Sequence, residues 1–268
     1  MTAAPPPSSV RAVRDIIVLS GSGEGMVVAC DSVGGIGPKP ADTVTVPGST
    51  TAHFAARVPI LEVLCSGADP VVVVNTLCVE MDPLGIEMIA AVRELAARAG
   101  VAPDAVTGST EDNVATQATG IGVTVIGRLG AGRHRPGRAQ AGDVVLCAGL
   151  PRSAPDDELY PGHPDQVSIE DLRSALASGL VHDALPVGSK GLGWELPQLA
   201  APAGLRARWR AEAPVHPDRS GGPSSCVLLA CAPEDEAALR DHFPASLPVH
   251  AVADLRAPAT GLTEATAT

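Results

Sequence analysis

Residues 29–44 read ACDSVGGIGPKPADTV and follow directly on the apolar run Met26-Val27-Val28-Ala29-Cys30. Two aspartates, three glycines, a lysine and two prolines make the segment too polar and too flexible for a core. Asp31 sits at the end of a strand and Asp42 after a glycine-rich turn. Such an arrangement can offer hard oxygen ligands to Mg²⁺ beside glycines whose N–H groups approach a polyphosphate. Taken alone, the segment reads slightly better as an ordinary Gly/Pro/Asp turn than as a site.

The rest of the chain sets limits on that choice. A chain of 268 residues with 45% hydrophobic content has enough apolar material for one large domain or two unequal ones. Aromatic residues make up only 2%, which removes the stacking platforms that single-stranded nucleic acid needs. A formal charge of −11 disfavours phosphate backbones and anionic membranes. The six cysteines form no CxxC pair and each lies in an apolar neighbourhood, so buried reduced thiols in a cytoplasmic protein are expected. MTAAPPPSSVRAVRD lacks an apolar stretch after its charges, and no apolar run reaches bilayer length, so neither signal peptide nor membrane span is expected.

Residues 1–12 read as a disordered Pro/Ser-rich tail. Asp15–Ser20 and Gly25–Cys30 read as a strand hairpin, and Ser49–Ser66 as a helix capped by Ser49 or Thr50 and stopped by Gly67, with Pro59 as an internal cost. Val71–Val74 read as a buried strand ending at Asn75. Pro83–Ala99 is an amphipathic helix closed by Gly100. TGSTEDN (107–113) reads as a loop and Gly120–Gly127 as a strand. The Gly/Arg-rich residues 130–142 mark a boundary, giving an N-terminal domain at 13–139, a shorter C-terminal one at 140–256 and a tail at 257–268. Within the second half, Asp143–Cys147 and Cys226–Ala232 read as strands, the latter followed by a helix at 233–242. Residues 151–225 are too rich in Pro, Gly and charge to read further.

Taken in order, GGIGPKP (34–40), ARVPILEVLCSGADP (56–70), VVVVN (71–75), TGSTEDN (107–113) and TGIGVTVIG (119–127) resemble the aminoimidazole ribonucleotide (AIR) synthase superfamily. The likeness covers roughly residues 25–150. DSVGGIGPKPAD, TGSTEDN with TGIGVTVIG, and HDALPVGSKG (182–191) are most similar to its α-ribazole kinase branch. The resemblance implies an α/β (α+β) fold of two PurM-like domains, a homodimer whose N-terminal sheets close a β-barrel, and ATP held with Mg²⁺ by carboxylates from several loops. It places metal at Asp31, Asp42, Glu62, Glu111 and Asp112, with Asp31 also catalytic. It places nucleotide at Gly34, Gly35, Gly37, Lys39, Asn75, Gly108, Ser109, Thr110 and Asn113. Two positions depart from the pattern: Asn75 stands where AIR synthases carry an aspartate, and Ser109 replaces the usual acidic residue.

The second of the chain's two lysines, Lys190, lies in HDALPVGSKGLGWE (182–195). Gly188, Ser189, Lys190 and Gly191 could present N–H groups and a cation to a phosphate, giving Lys190 a catalytic place, and His182-Asp183 could meet a hydroxyl or metal. The bland alternative is a helix N-terminus in a solvated loop anchored by Trp194. Glu80 and Asp82 read either as substrate-facing or as a solvated helix start. The expected activity is phosphoryl transfer from Mg·ATP to a nucleoside-like alcohol, with no nucleic-acid or membrane partner. An ATP-dependent cyclo-ligase and a non-catalytic ATP-binding protein are the alternatives.

Overall fold

The computed structural model describes residues 9–21 and 24–258. In chain order the elements are β1 (Ser9–Val13), β2 (Ile16–Ser20), β3 (Gly25–Gly34), the short pair β4 (Ile36–Gly37) and β5 (Val44–Thr45), α1 (Gly48–Ser66), β6 (Asp69–Leu77), α2 (Ile86–Arg98), β7 (Val106–Ser109) and β8 (Gly120–Leu129). There follow β9 (Val144–Ala148), α3 (Ile169–Ala177), β10 (Val181–Pro186), α4 (Leu192–Ala200), β11 (Arg206–Trp209), β12 (Val227–Cys231), α5 (Glu236–Arg240) and β13 (Val249–Arg256). The strands form a six-stranded sheet, β1-β2-β3-β8-β6-β7, and a five-stranded sheet, β10-β12-β9-β13-β11.

Alternation along β3 explains the first sheet. Val27 and Ala29 point into the core, whereas Met26, Cys30 and Ser32 point the other way. β8 repeats the pattern, with Ile121, Val123 and Val125 inward. α1 covers the inward face and also packs on β10 of the second sheet. It is buried on nearly every side, including Ala52, Ala55, Ala56, Ile60, Leu61 and Val63, because both sheets use it as their covering layer.

Several local expectations need correction. Residues 9–12 of the supposed tail form β1, paired antiparallel with β2; residues 1–8 and 259–268 lie outside the described residues. α1 starts at Gly48 without a side-chain cap, and the Ser49 N–H donates instead to Glu87 Oε1 at 2.8 Å. The helix runs through Pro59 and stops at Gly67, whose φ of 94° is the left-handed turn a glycine permits. A Cβ at Gly67 would meet the Arg133 carbonyl oxygen at 1.9 Å. TGSTEDN is not all loop, since Val106–Ser109 adds a parallel edge strand beside β6. Cys30 and Cys78 are exposed, so only Cys65, Cys147, Cys226 and Cys231 fit the buried-thiol expectation. Cys30 alternates onto the outward face of β3, and Cys78 lies just past the end of β6. Within 151–225 lie α3, β10, α4 and β11. No helix among the described residues is long and apolar enough to cross a membrane.

Candidate functional site

One stripe of α1 (Thr50, Thr51, Phe54, Val58 and Glu62) faces a cleft of about 590 Å³ between the two sheets. These positions recur every three or four residues, as one side of a helix requires. The near wall is the end of β3, with Asp31 to Gly34; the far wall is made by Ser153, Ala154, Gly188, Ser189, Pro223 and Ser224 from loops of the second half. The volume lies within the range typical of small-molecule sites.

The acidic groups decide the character of this cleft. Burial raises the Asp31 carboxyl above its ordinary value, against a lowering contribution from the Ser32 N–H. Burial, with repulsion from Asp15, Asp31 and Glu195, pushes Glu62 up to about 8. Glu62 Oε2 is buried and has no hydrogen-bond partner. Glu195 lines a small cavity adjoining the cleft together with Glu62 and Asp15, and burial with the nearby Asp15 raises it to about 7. The nearby guanidinium of Arg14 does not neutralise the group, because it is committed to Asp183, at 2.8 and 3.1 Å, and to the carbonyls of Ala184, Leu199 and Gln198. Carboxylates converge, then, and among the described residues no Lys or Arg forms an ion pair with Glu62, although Lys190 and Arg14 lie close enough to favour the charged form of Glu195. Among the described residues, no three His, Cys, Asp or Glu side chains stand close enough to hold a metal ion by themselves.

Of the residues expected to form the site, Asp31, Gly34 and Glu62 line the cleft. A Cβ at Gly34 or Gly35 would meet nothing within 4 Å, so the backbone there is open to close approach. The remaining expected residues hold one another. Asp42 accepts from the Lys39 N–H and from both the N–H and hydroxyl of Thr119, at 2.7–2.8 Å. Lys39 is paired with Glu80, which also accepts from Thr116; the Lys39 hydrogen bond, with further N–H donors, holds Glu80 down to about 2. A Cβ at Gly37, φ 153°, would lie 2.3 Å from Thr119 Oγ1, so this glycine permits the turn to close on β8's approach. Glu111 accepts from the Asn113 N–H, and Asp112 from the Met81 N–H and Thr110 hydroxyl. Gly108 lies against Asn75, where a Cβ would meet the Asn75 carbonyl oxygen at 1.9 Å, and Ser109 ends β7. Asn75 is buried, donates to the Thr107 carbonyl and leaves its Oδ1 without a partner.

The 182–195 segment divides. His182 pairs with Asp143 at 2.9 Å and Asp183 with Arg14, so neither is free for a hydroxyl or metal, and both belong to β10 rather than a loop. Gly188 and Ser189 line the cleft. Lys190 lies beyond them, its ammonium 4.0 Å from the centre of the Trp194 ring, and Trp194 is half exposed, a lid over the lysine rather than an anchor. Sequence reasoning missed Asp15, Ser153 and Ser224. For Ser224 a signal existed in SGGPSS (220–225), where glycines and serines cluster as at other ligand-facing turns; its φ is 54°.

No family model and no curated protein matches the chain. Solved structures do. The hydrogenase maturation protein HypE in complex with ATP is 15% identical, with 87% of this chain and 77% of that one covered, at a TM-score of 0.65. Thiamine-monophosphate kinase from Stenotrophomonas maltophilia is 18% identical, covering 94% and 90%, at 0.60. PurL of T. maritima complexed with ATP is 16% identical, covering 94% of this chain and 43% of that one, at 0.64. The chain therefore shares the mixed α/β fold of these proteins.

Proposed function

We propose that the chain is a Mg·ATP-dependent phosphotransferase whose acceptor is the hydroxyl of a small nucleoside-like molecule, α-ribazole first among those to test. The observation that carries this reading is the unpartnered carboxylate oxygen of Glu62 beside Asp31, in a cleft large enough for a nucleotide. Such a group calls for a cation. Asp31 and Glu62 fit Mg²⁺, a hard ion that takes few protein oxygens and completes its shell with phosphate and water. Bound there, the ion would neutralise charge on the transferring phosphoryl group. The chain's own part is positioning: Gly34 lets the backbone approach phosphate, and Gly188-Ser189 lie across the cleft to orient an acceptor. The superfamily neighbours named as a kinase or solved with ATP support the same reading.

Incubation with Mg·ATP and α-ribazole is expected to give ADP and α-ribazole 5′-phosphate. Asp31→Asn should reduce turnover about a hundredfold or more while the fold persists. ATP consumed only with the formylglycinamidine substrate of AIR synthase would replace this reading with the cyclo-ligase. ATP bound but never consumed would leave a non-catalytic nucleotide-binding protein.

The active form is, in this reading, a homodimer. Val72, Ile126, Val28 and Ile17 stand in register across four adjacent strands, on the face opposite α1. Ile17 remains 40% exposed and the neighbouring Met26 47%. An apolar row of this kind suits a second sheet. Sedimentation at micromolar concentration should show a dimer, and Ile17→Asp should shift it to monomer; a wild-type monomer under the same conditions would sink this part.

A further inference from the structure

Next to the stripe of α1 that faces the cleft runs another, with His53 and Arg57 one turn apart. It borders a separate cavity of about 200 Å³, whose lining shares no residue with the cleft. Arg57 is almost fully buried. Its Nε donates to the Ser224 carbonyl at 3.1 Å and one terminal nitrogen to the Val167 carbonyl at 2.6 Å; no carboxylate pairs with it among the described residues. Two further polar nitrogens in the wall lack partners, the Gln166 amide and a His53 ring nitrogen that donates in the tautomer with its proton on Nε2. His53 is 9% exposed and Gln166 8%, and the Nε2 atom of each is buried without a hydrogen bond. A buried guanidinium beside unpaired nitrogen donors is costly unless something accepts from them.

We propose that this cavity binds a small oxyanion, of phosphate or carboxylate chemistry, through Arg57, His53 and Gln166. The other charged groups in the wall are already engaged. Arg98 makes a two-pronged pair with Glu170 at 2.7 and 2.9 Å. Asp171 accepts from the Ser168 hydroxyl at the start of α3 and is, among the described residues, the one carboxylate in the lining. His163 accepts the Asp165 N–H at Nδ1, which leaves Nε2 as its donor side. The net demand is for an acceptor. Burial and the charges of Arg57 and Arg98 hold His53 down to about 4, so the unfilled site keeps a neutral imidazole. The cavity is much smaller than the cleft and suits a phosphate or a small acid.

Calorimetric titration of the whole protein with inorganic phosphate, sulfate and acetate, against chloride at equal ionic strength, tests this. Saturable binding of at least one oxyanion is expected, and the preference between phosphate and acetate tells the two sources apart. Gln166→Leu, which removes an unpaired amide at similar volume, should fold and weaken that binding about tenfold; His53→Leu should do the same. An absence of saturable binding to the wild type overturns the proposal. So does wild-type affinity in Gln166→Leu, which would put the ion elsewhere, the cleft included. Should His53→Leu fail to fold, Gln166→Leu alone decides.

Discussion

Glu62→Gln should make the metal-free protein more stable and the Mg·ATP reaction far slower. The carboxyl is raised from 4.5 to about 8 by burial and by its acidic neighbours, so the folded state resists its ionisation while the unfolded chain does not. The resulting destabilisation is absent below the ordinary carboxylate range, grows as pH climbs through neutrality and is complete above about 8. Removing it should gain about 1–3 kcal/mol at pH 8 and nothing at pH 4. Denaturant unfolding of wild type and variant across that range measures the gain, and ATP turnover measures the loss. A variant less stable at pH 8 would mean that Glu62 is not strained, and one equally active that it is not a ligand.

Asp183→Asn should cost about 3–5 kcal/mol, because it leaves the Arg14 guanidinium buried without its counter-charge. The pair is closed from solvent, with Arg14 6% exposed and Asp183 fully buried. Asp183 also accepts from the Gly137 N–H at 2.9 Å, so one carboxylate joins the segment between the sheets to β10 and to the start of β2. A loss under about 1 kcal/mol in equilibrium unfolding would show that the asparagine keeps enough of those bonds to stand in for the charge.

The two aspartates quoted at the outset show how far the sequence could be read. Both lie near glycines, yet alternation in β3 turns Asp31 toward α1 and the cleft, while Asp42 spends its oxygens on Thr119 and Lys39. α1 was legible from the helical spacing of Phe54, Val58, Leu61 and Cys65 and from Gly67 as its stop, although burial on nearly every side leaves it almost no polar face. Glu62 was placed by the likeness of ARVPILEVLCSGADP to a known pattern. The Lys39–Glu80 pairing was not legible, since it joins residues 41 apart that only the packing of loop against loop brings together. In the second half the wholly buried β9 and β12 read as strands from their apolar runs, whereas α3, β10, α4 and β11 are short elements set among Pro- and Gly-rich turns and gave no clear period, and β11 pairs with β13 across a long intervening segment.

α1 packs on strands of both sheets, Arg57 on that helix holds the carbonyls of Ser224 and Val167, and Arg14 bolts the first sheet to β10. Among the described residues these contacts tie the two halves of the cleft to one another, so opening or closing it as a whole would have to break them. The short segments at the mouth, around Ser153–Leu159 and Gly188-Ser189, could then cover a bound molecule by small local shifts, which are faster than the swing of a whole domain.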